Sequence, residues 1–265
     1  MARARSARDP WLDHRHHGAV TLRSALEANL RSFDRVRSGQ TLKPAAVAIV
    51  VLDDHGHSAV PIFQRTSDMS RHAGQMALPG GRLHEGEGAV ACAIRELHEE
   101  LGLAVGPDDV VGLLDDFDTR SGFTITPVVI YSGAAAAGLQ PSRFEVAQLF
   151  VIALKGLRAA VSLASHGPSP DFSLQLEQVQ VFAPTAAILY QFSEVALDGR
   201  SVRVADFYQP PFTHRYRETT PWRGAPSPAA SWAPQIPIVA MRGTCQPPLA
   251  ECSRPARSRP AAEIM

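Results

Sequence analysis

Between Gly81 and Leu103 the chain reads Gly81-Arg82-Leu83-His84-Glu85-Gly86-Glu87, then seven residues, then Arg95-Glu96-Leu97-His98-Glu99-Glu100-Leu101-Gly102-Leu103. Glu96, Glu99 and Glu100 are spaced three and four residues apart, which on a helix turning about 100° per residue makes them surface neighbours. Like charges so placed repel by roughly a few tenths of a kcal/mol per pair when exposed, and by more when desolvated. Arg95 can neutralise one of them. A hard divalent cation such as Mg²⁺ or Mn²⁺ would relieve all three, because these ions take oxygen ligands and usually keep water and phosphate oxygens in the remaining positions. Such an ion also activates water for attack on a phosphorus. The competing reading of Arg-Glu-Leu-His-Glu-Glu is a solvated helical face without chemistry.

The elements that would position these acids can be read from periodicity. Val90, Ala93, Ile94, Leu97 and Leu101 fall within one arc of roughly 100°, which predicts a helix from about Gly88 to Leu101 with that arc on the core and the three glutamates turned away from it. Gly102 would end the helix as a left-handed cap, and Pro79-Gly80-Gly81 would make a tight turn that brings backbone close to the acids. Upstream, Leu22, Leu26, Leu30 and Phe33 recur at helical spacing over Thr21 to Arg37, with Thr21 as N-cap. Ala45 to Leu52 and Val60 to Gln64 read as strands joined by Asp53-Asp54-His55-Gly56, a hairpin. Downstream, strands are expected near Val110 to Phe117, Thr124 to Tyr131 and Val146 to Ile152, with a turn at Thr119 to Gly122 and an Ala/Gly loop over Ser132 to Pro141. Pro184 suits the first turn of a helix running through Thr185 to Val195. The class is mixed α/β with a central sheet.

Composition bounds the partners. Lys plus Arg and Asp plus Glu number 26 each among 265 residues, so no large field of one sign points to nucleic acid or a membrane, and an acidic substrate must be gripped locally. Cys92, Cys245 and Cys252 make no disulfide framework, and no apolar run of about 20 residues could span a bilayer, so a cytoplasmic setting is expected. The Arg-rich start, Met1 to Arg8, lacks the apolar stretch of a signal sequence. His14, His16 and His17 read as a flexible polar cluster. Nine of the 21 prolines lie in the last 49 residues, a composition too poor in apolar surface to offset ordering entropy. The expected organisation is an N-terminal extension over 1–43 carrying the first helix, a catalytic domain over 44–216, and a disordered tail over 217–265.

Gly81, Glu87, Arg95, Glu96, Leu97, Glu99, Glu100, Gly102 and Leu103 together satisfy nine positions of one pattern, a coincidence on the order of one in ten million for average composition. These residues match the Nudix box, and the chain resembles the Nudix hydrolase superfamily most specifically over Gly81 to Leu103 and more loosely from about Pro44 to Gln191. The resemblance implies an α/β/α sandwich around a mixed sheet. It also implies that Glu96, Glu99 and Glu100 ligate Mg²⁺ or Mn²⁺, that the Gly80 carbonyl is a further ligand, that Arg95 orients an acid, and that Glu87 supports the loop or contacts a metal from its outer shell. For the catalytic base, Glu96 is the first choice and Glu145 the second.

The stretch from Gln64 to Gly81 is similar to the signature of the coenzyme A diphosphatase branch in Arg65, Arg71, His72, Gly74 and Gln75, and Thr119 to Val129 and Phe182 to Ala187 resemble the same branch. Ser70, Leu78 and Pro61-Ile62-Phe63 depart from its pattern. Arg65 and Arg71 could form charge-assisted bonds with a diphosphate or a 3′-phosphate, and His72, Gly74 and Gly81 join them as expected substrate contacts. The expected ligand is a small-molecule nucleotide: coenzyme A or acyl-CoA, or in the alternative NADH, ADP-ribose or a dinucleoside polyphosphate. A non-catalytic nucleotide-binding domain is the reading from a different class. No nucleic acid or membrane partner is expected, and a homodimer is left open.

Overall fold

The structure is a computed structural model in which residues 21–66, 74–164, 169, 172–177 and 179–211 are described. Arg71 and His72, the histidines near the start and the Pro-rich tail lie outside the described residues. The elements of the fold lie among the described residues between 21 and 211.

In chain order the elements are α1 (Leu22–Ser32), β1 (Lys43–Asp54), β2 (His57–Arg65), β3 (Met76–Ala77), β4 (Gly80–Arg82), α2 (Ala89–Leu101), β5 (Val110–Leu113), β6 (Phe117–Asp118), β7 (Phe123–Ala135), β8 (Val146–Ala153), α3 (Leu154–Leu163), β9 (Ser173–Leu176), β10 (Val179–Phe182) and α4 (Thr185–Gln191). Eight strands form one mixed sheet with the central order β3-β2-β1-β7-β5, to which β4 adds on β1, β6 on β7 and β8 on β2. The β1–β7 pairing is parallel, from Lys43 opposite Phe123 to Val51 opposite Tyr131. The other pairings are antiparallel. β9 and β10 make a separate hairpin.

Alternation along β1 decides what each face of the sheet buries, since successive side chains point to opposite sides. Ile49 and Val51, with Val60, Ile62 and Val129 from neighbouring strands, face a core shared with Leu26, Leu30 and Phe33 of the α1 region and with residues of α3 and α4. Ala46, Ala48, Val50 and Leu52, with Val128 and Ile130, face Cys92, Ala93, Leu97 and Leu101 of α2. The sheet is therefore covered by helices on both sides, an α/β/α sandwich. Among the described residues no helix is long and apolar enough to cross a membrane.

Several expected features take the predicted form. Thr21 caps α1 by accepting from the Ser24 amide. β1 and β2 form a hairpin about His55 and Gly56, whose φ of 50° and 83° suit a two-residue loop with a twist matching the strands. Others differ. The segment expected as one strand over Val110 to Phe117 is two, β5 and β6, because the intervening Asp115 and Asp116 leave the ladder to serve other partners. Asp115, only 5% exposed, accepts from the Val36 amide at 2.7 Å, from Gln191 Nε2 at 2.7 Å and from Arg203 Nη1 at 2.8 Å. Asp116 pairs with Arg35 and accepts from Thr126 Oγ1. Acid side chains here tie the chain after α1 and the segment after α4 to the sheet.

The expected loop over Ser132 to Pro141 begins as strand, since β7 continues to Ala135, and then turns through a 3₁₀ segment at Ala136–Gly138. The helix expected over Thr185 to Val195 is α-helical only to Gln191 and continues as a buried π-helical turn over Phe192–Leu197. The sequence reading did not anticipate α3 or the β9–β10 hairpin.

Candidate active site

The carboxylates are placed by α2. Gly88 precedes its first residue, and Gly102, at φ 68° in the left-handed region, closes it with an amide bond to the His98 carbonyl. The helix approaches the sheet closely because small residues line the contact. Gly80 and Gly81 are not in a turn as expected. They lie in β4, paired with Val47 and Ala46, and neither has a positive φ. Their lack of side chain is needed for close approach: a Cβ on Gly80 would meet the Ala46 carbonyl oxygen at 2.4 Å, and one on Gly81 would meet Glu96 Oε1 at 2.0 Å.

Glu99 lies on the outer side of α2, as expected, but Glu96, its side chain 15% exposed and its carboxylate against Gly81, is turned partly inward, and Glu100 does not face out at all. It is 1% exposed, packed at the edge of the helix's inner face. The reason is that β2 and β4 supply partners there. Gly80 donates its amide to Glu100 Oε2 at 2.9 Å, and the Arg65 guanidinium lies 3.4 Å from Oε1. Burial of a charge requires such pairing. Even so, burial pushes the Glu100 carboxyl up to about 8, opposed by Arg65 and the Gly80 amide and reinforced by the charges of Glu96 and Glu145. Glu96 is also raised, chiefly by burial, with Arg95 opposing and Glu99 and Glu145 adding to the shift.

Arg95 organises the rest. Its Nε and Nη2 donate to the two Glu87 oxygens at 2.9 and 3.0 Å, a bidentate pair. Its Nη1 reaches Glu96 Oε1 at 2.8 Å and Glu99 Oε2 at 3.0 Å, and Nη2 also donates to the Arg82 carbonyl at 3.2 Å. Hydrogen bonds from Arg95 first, and from the His84 amide second, hold the Glu87 carboxyl at about 2. Arg95 is itself raised above its ordinary value, mainly by Glu87. Glu87 thus fixes the arginine that spans two of the acids.

Glu145 belongs to the same site. Its loop is bonded to the C-terminal end of α2, with the Gln140 amide donating to the Leu101 carbonyl and the Ser142 amide to the Glu100 carbonyl, both at 2.8 Å. On the other side the Thr66 amide donates to the Glu145 carbonyl at 3.1 Å. Of the other expected contacts, Arg65 is engaged by Glu100, and Gly74 closes the 65–75 segment through its amide to the Arg65 carbonyl at 3.1 Å. The sequence reading missed Ser142 and Thr66, whose roles are carried by main-chain bonds and leave no side-chain signature. It also missed that Cys92, buried under the site, points its Sγ at the Gly81 and Arg82 carbonyls, 3.6 and 3.5 Å away.

The donor set suits a hard divalent cation. It is made of carboxylate oxygens, the ligand type such an ion takes. In the described residues the acids are bridged by Arg95 and Arg65, and no three Asp, Glu, His or Cys side chains form a single ready-made ligand sphere. An ion held by Glu96, Glu99 and Glu100, with Gly80 adjoining, would have to displace Arg95 from the first two and Arg65 from the third.

A NUDIX domain model matches residues 42–163 of the chain. The chain is 34% identical over 158 residues to a Pectobacterium atrosepticum protein named Uncharacterized Nudix hydrolase NudL, covering 56% of this chain and 80% of that one. A protein of the same name from Citrobacter koseri is 36% identical over 95 residues, covering 35% of this chain and 49% of the relative, so the match spans about half of that relative. Among solved structures, a MutT protein from Methanosarcina mazei Go1 aligns with a TM-score of 0.36 at 20% identity, covering 48% of this chain and 85% of the other. Taken with the helix-borne carboxylates and the glycine strand they pack on, the family match and the Pectobacterium relative establish that this chain belongs to the Nudix hydrolase family.

Proposed function

We propose that the chain hydrolyses the diphosphate linkage of coenzyme A or an acyl-CoA in the presence of Mg²⁺ or Mn²⁺, giving 3′,5′-ADP and (acyl-)4′-phosphopantetheine. The observation that carries the coenzyme A reading is the contact of two distant segments that both resemble the coenzyme A diphosphatase branch. The Thr185 hydroxyl, in the 182–187 run, donates to the Met76 carbonyl, in the 64–81 stretch, at 3.0 Å. The 64–81 stretch also brings Arg65 to Glu100.

In this reading Glu96, Glu99 and Glu100 hold the ion, which when bound would neutralise phosphoryl charge and favour a nucleophilic water. Arg95, tied to Glu87, orients Glu96 and Glu99. Glu96, its carboxylate held by Arg95, is the first choice for the base that takes the water's proton. Glu145 is the second choice. The glycines of β4 let the Glu96 carboxylate and the backbone of β1 lie against the strand with no side chain between them.

The test is product analysis after incubation of the full chain with coenzyme A, dephospho-coenzyme A, NADH, ADP-ribose and dinucleoside polyphosphates, with Mg²⁺ and with Mn²⁺. Coenzyme A should be cleaved to 3′,5′-ADP at the highest kcat/KM, and dephospho-coenzyme A, lacking the 3′-phosphate, about ten- to a hundredfold more slowly, the weight of one charge-assisted contact. Equal rates for those two, or faster cleavage of NADH or ADP-ribose, would overturn the coenzyme A assignment.

A further inference from the structure

Phe144 is 75% exposed although the chain that carries it is fixed on both sides. Its carbonyl accepts from Thr66 Oγ1 at 2.9 Å, and the next carbonyl, of Glu145, accepts from the Thr66 amide at 3.1 Å. Two residues earlier, the Ser142 amide donates to the Glu100 carbonyl at 2.8 Å. Thr66 follows Arg65, whose guanidinium meets the Glu100 carboxylate. The ring is therefore mounted on a segment pinned between the ends of α2 and β2, next to Glu145 and close to Glu100 by either path.

The ring is also oriented. The Arg143 guanidinium carbon lies 5.1 Å from the centre of the Phe144 ring, over one face. A cation over an aromatic face steadies the ring at a solvent-facing site, where a lone phenylalanine would otherwise turn freely. That leaves the opposite face for a ligand. A scattered exposed phenylalanine needs no explanation, but the main chain of this one is restricted by bonds to Thr66 and lies next to Glu145. A flat heterocycle of a nucleotide is the group such a face takes, because base stacking on an aromatic ring is strong for any base and needs no hydrogen-bond partner.

We propose that Phe144, backed by Arg143, is the platform on which the nucleobase of a nucleotide ligand stacks while its phosphates lie toward Glu100. The inference rests on the nucleotide-diphosphate reading above and specifies which part of the ligand this loop holds. The base end of the ligand then sits on the 140–145 loop, and the phosphate end on the α2 and β4 side.

The test measures binding without turnover. Equilibrium affinities of AMP and of ribose 5-phosphate, which lacks the base, are compared for the full chain in Mg²⁺. The wild type should prefer AMP, and Phe144→Ala should shrink that preference about tenfold, the scale of one stacked base. Phe144→Trp, which keeps a stacking face, should restore it. An unchanged preference in Phe144→Ala, or no preference for AMP in the wild type, would overturn the proposal. If AMP is preferred through Phe144 yet no diphosphate is cleaved, the proposed activity fails and the stacking site stands. If coenzyme A is cleaved and Phe144→Ala keeps the full preference for AMP, the reverse holds.

Discussion

The Gly81 α-carbon lies directly against the Glu96 carboxylate, so that a Cβ at position 81 would come within 2.0 Å of Glu96 Oε1. Gly81→Ala is expected to displace that carboxylate while leaving the core intact, because the obstructed atom is the far end of a side chain. A displacement of about 1 Å in a positioned group costs about a hundredfold in rate. Turnover should fall on that scale with the thermal midpoint nearly unchanged. Equal losses of activity and midpoint would mean that the glycine serves the fold instead.

Glu99 and Glu100 should separate in the same way. Glutamine at either position is a poor ligand for a hard cation, and both variants are expected to lose at least about a hundredfold in turnover. Their stabilities should differ. The Glu99 side chain is 54% exposed and meets Arg95 across one turn, so Glu99→Gln should cost less than about 0.5 kcal/mol in urea unfolding. Glu100→Gln replaces a carboxylate whose charged form burial disfavours, so the variant should gain stability relative to wild type as pH rises toward about 8. Wild-type turnover in both variants would remove these residues from the site.

The helix and its acids were legible because a period of 3.6 residues is visible in Val90, Ala93, Leu97 and Leu101 without any tertiary knowledge. The burial of Glu100 was not, since its partners stand 20 and 35 residues away in sequence and one is a main-chain amide. For the same reason the charge of Arg65 was visible in the sequence while its contact with Glu100 was not. The glycines of β4 were recognised as necessary, but for a turn. Sequence shows that a side chain is unwelcome, not whether φ or a neighbouring carboxylate excludes it.

Cys92 should be chemically silent in the folded chain. It is fully buried, and burial first, with the charges of Glu87 and Glu96 adding, pushes its thiol up to about 11. A thiol in that range is almost wholly protonated at pH 8 and is a poor nucleophile. Peptide mapping after iodoacetamide treatment at pH 8 should find Cys92 unmodified in native protein and modified after denaturation. Rapid labelling of native Cys92 would show that α2 opens from the sheet.

Asp115→Ala should destabilise the fold more than it affects the chemistry. The substitution removes the acceptor of the Val36 amide and the acid facing Arg203, and takes one bond from Gln191 Nε2, which keeps the Val202 carbonyl. An unmet donor of this kind costs roughly 1–3 kcal/mol, so urea unfolding should report a loss of about 2 kcal/mol. At temperatures where the variant stays folded, kcat should lie within about twofold of wild type. A loss under about 0.5 kcal/mol would show that the segments before β1 and after α4 are not held through this acid.

The parallel pairing of β1 with β7 also sets the order in which the chain can fold. Its register joins residues roughly 80 positions apart, Lys43 to Phe123 and onward, so the loop entropy of everything between them must be met before the seam forms. The β1–β2 hairpin and α2 can form early from local contacts. The surface on which α2 rests includes Val128 and Ile130 of β7. A nascent chain that has not yet released β7 therefore carries the complete acidic helix with only part of its floor, and competence for chemistry waits on a long-range strand pairing rather than on the motif that names the family.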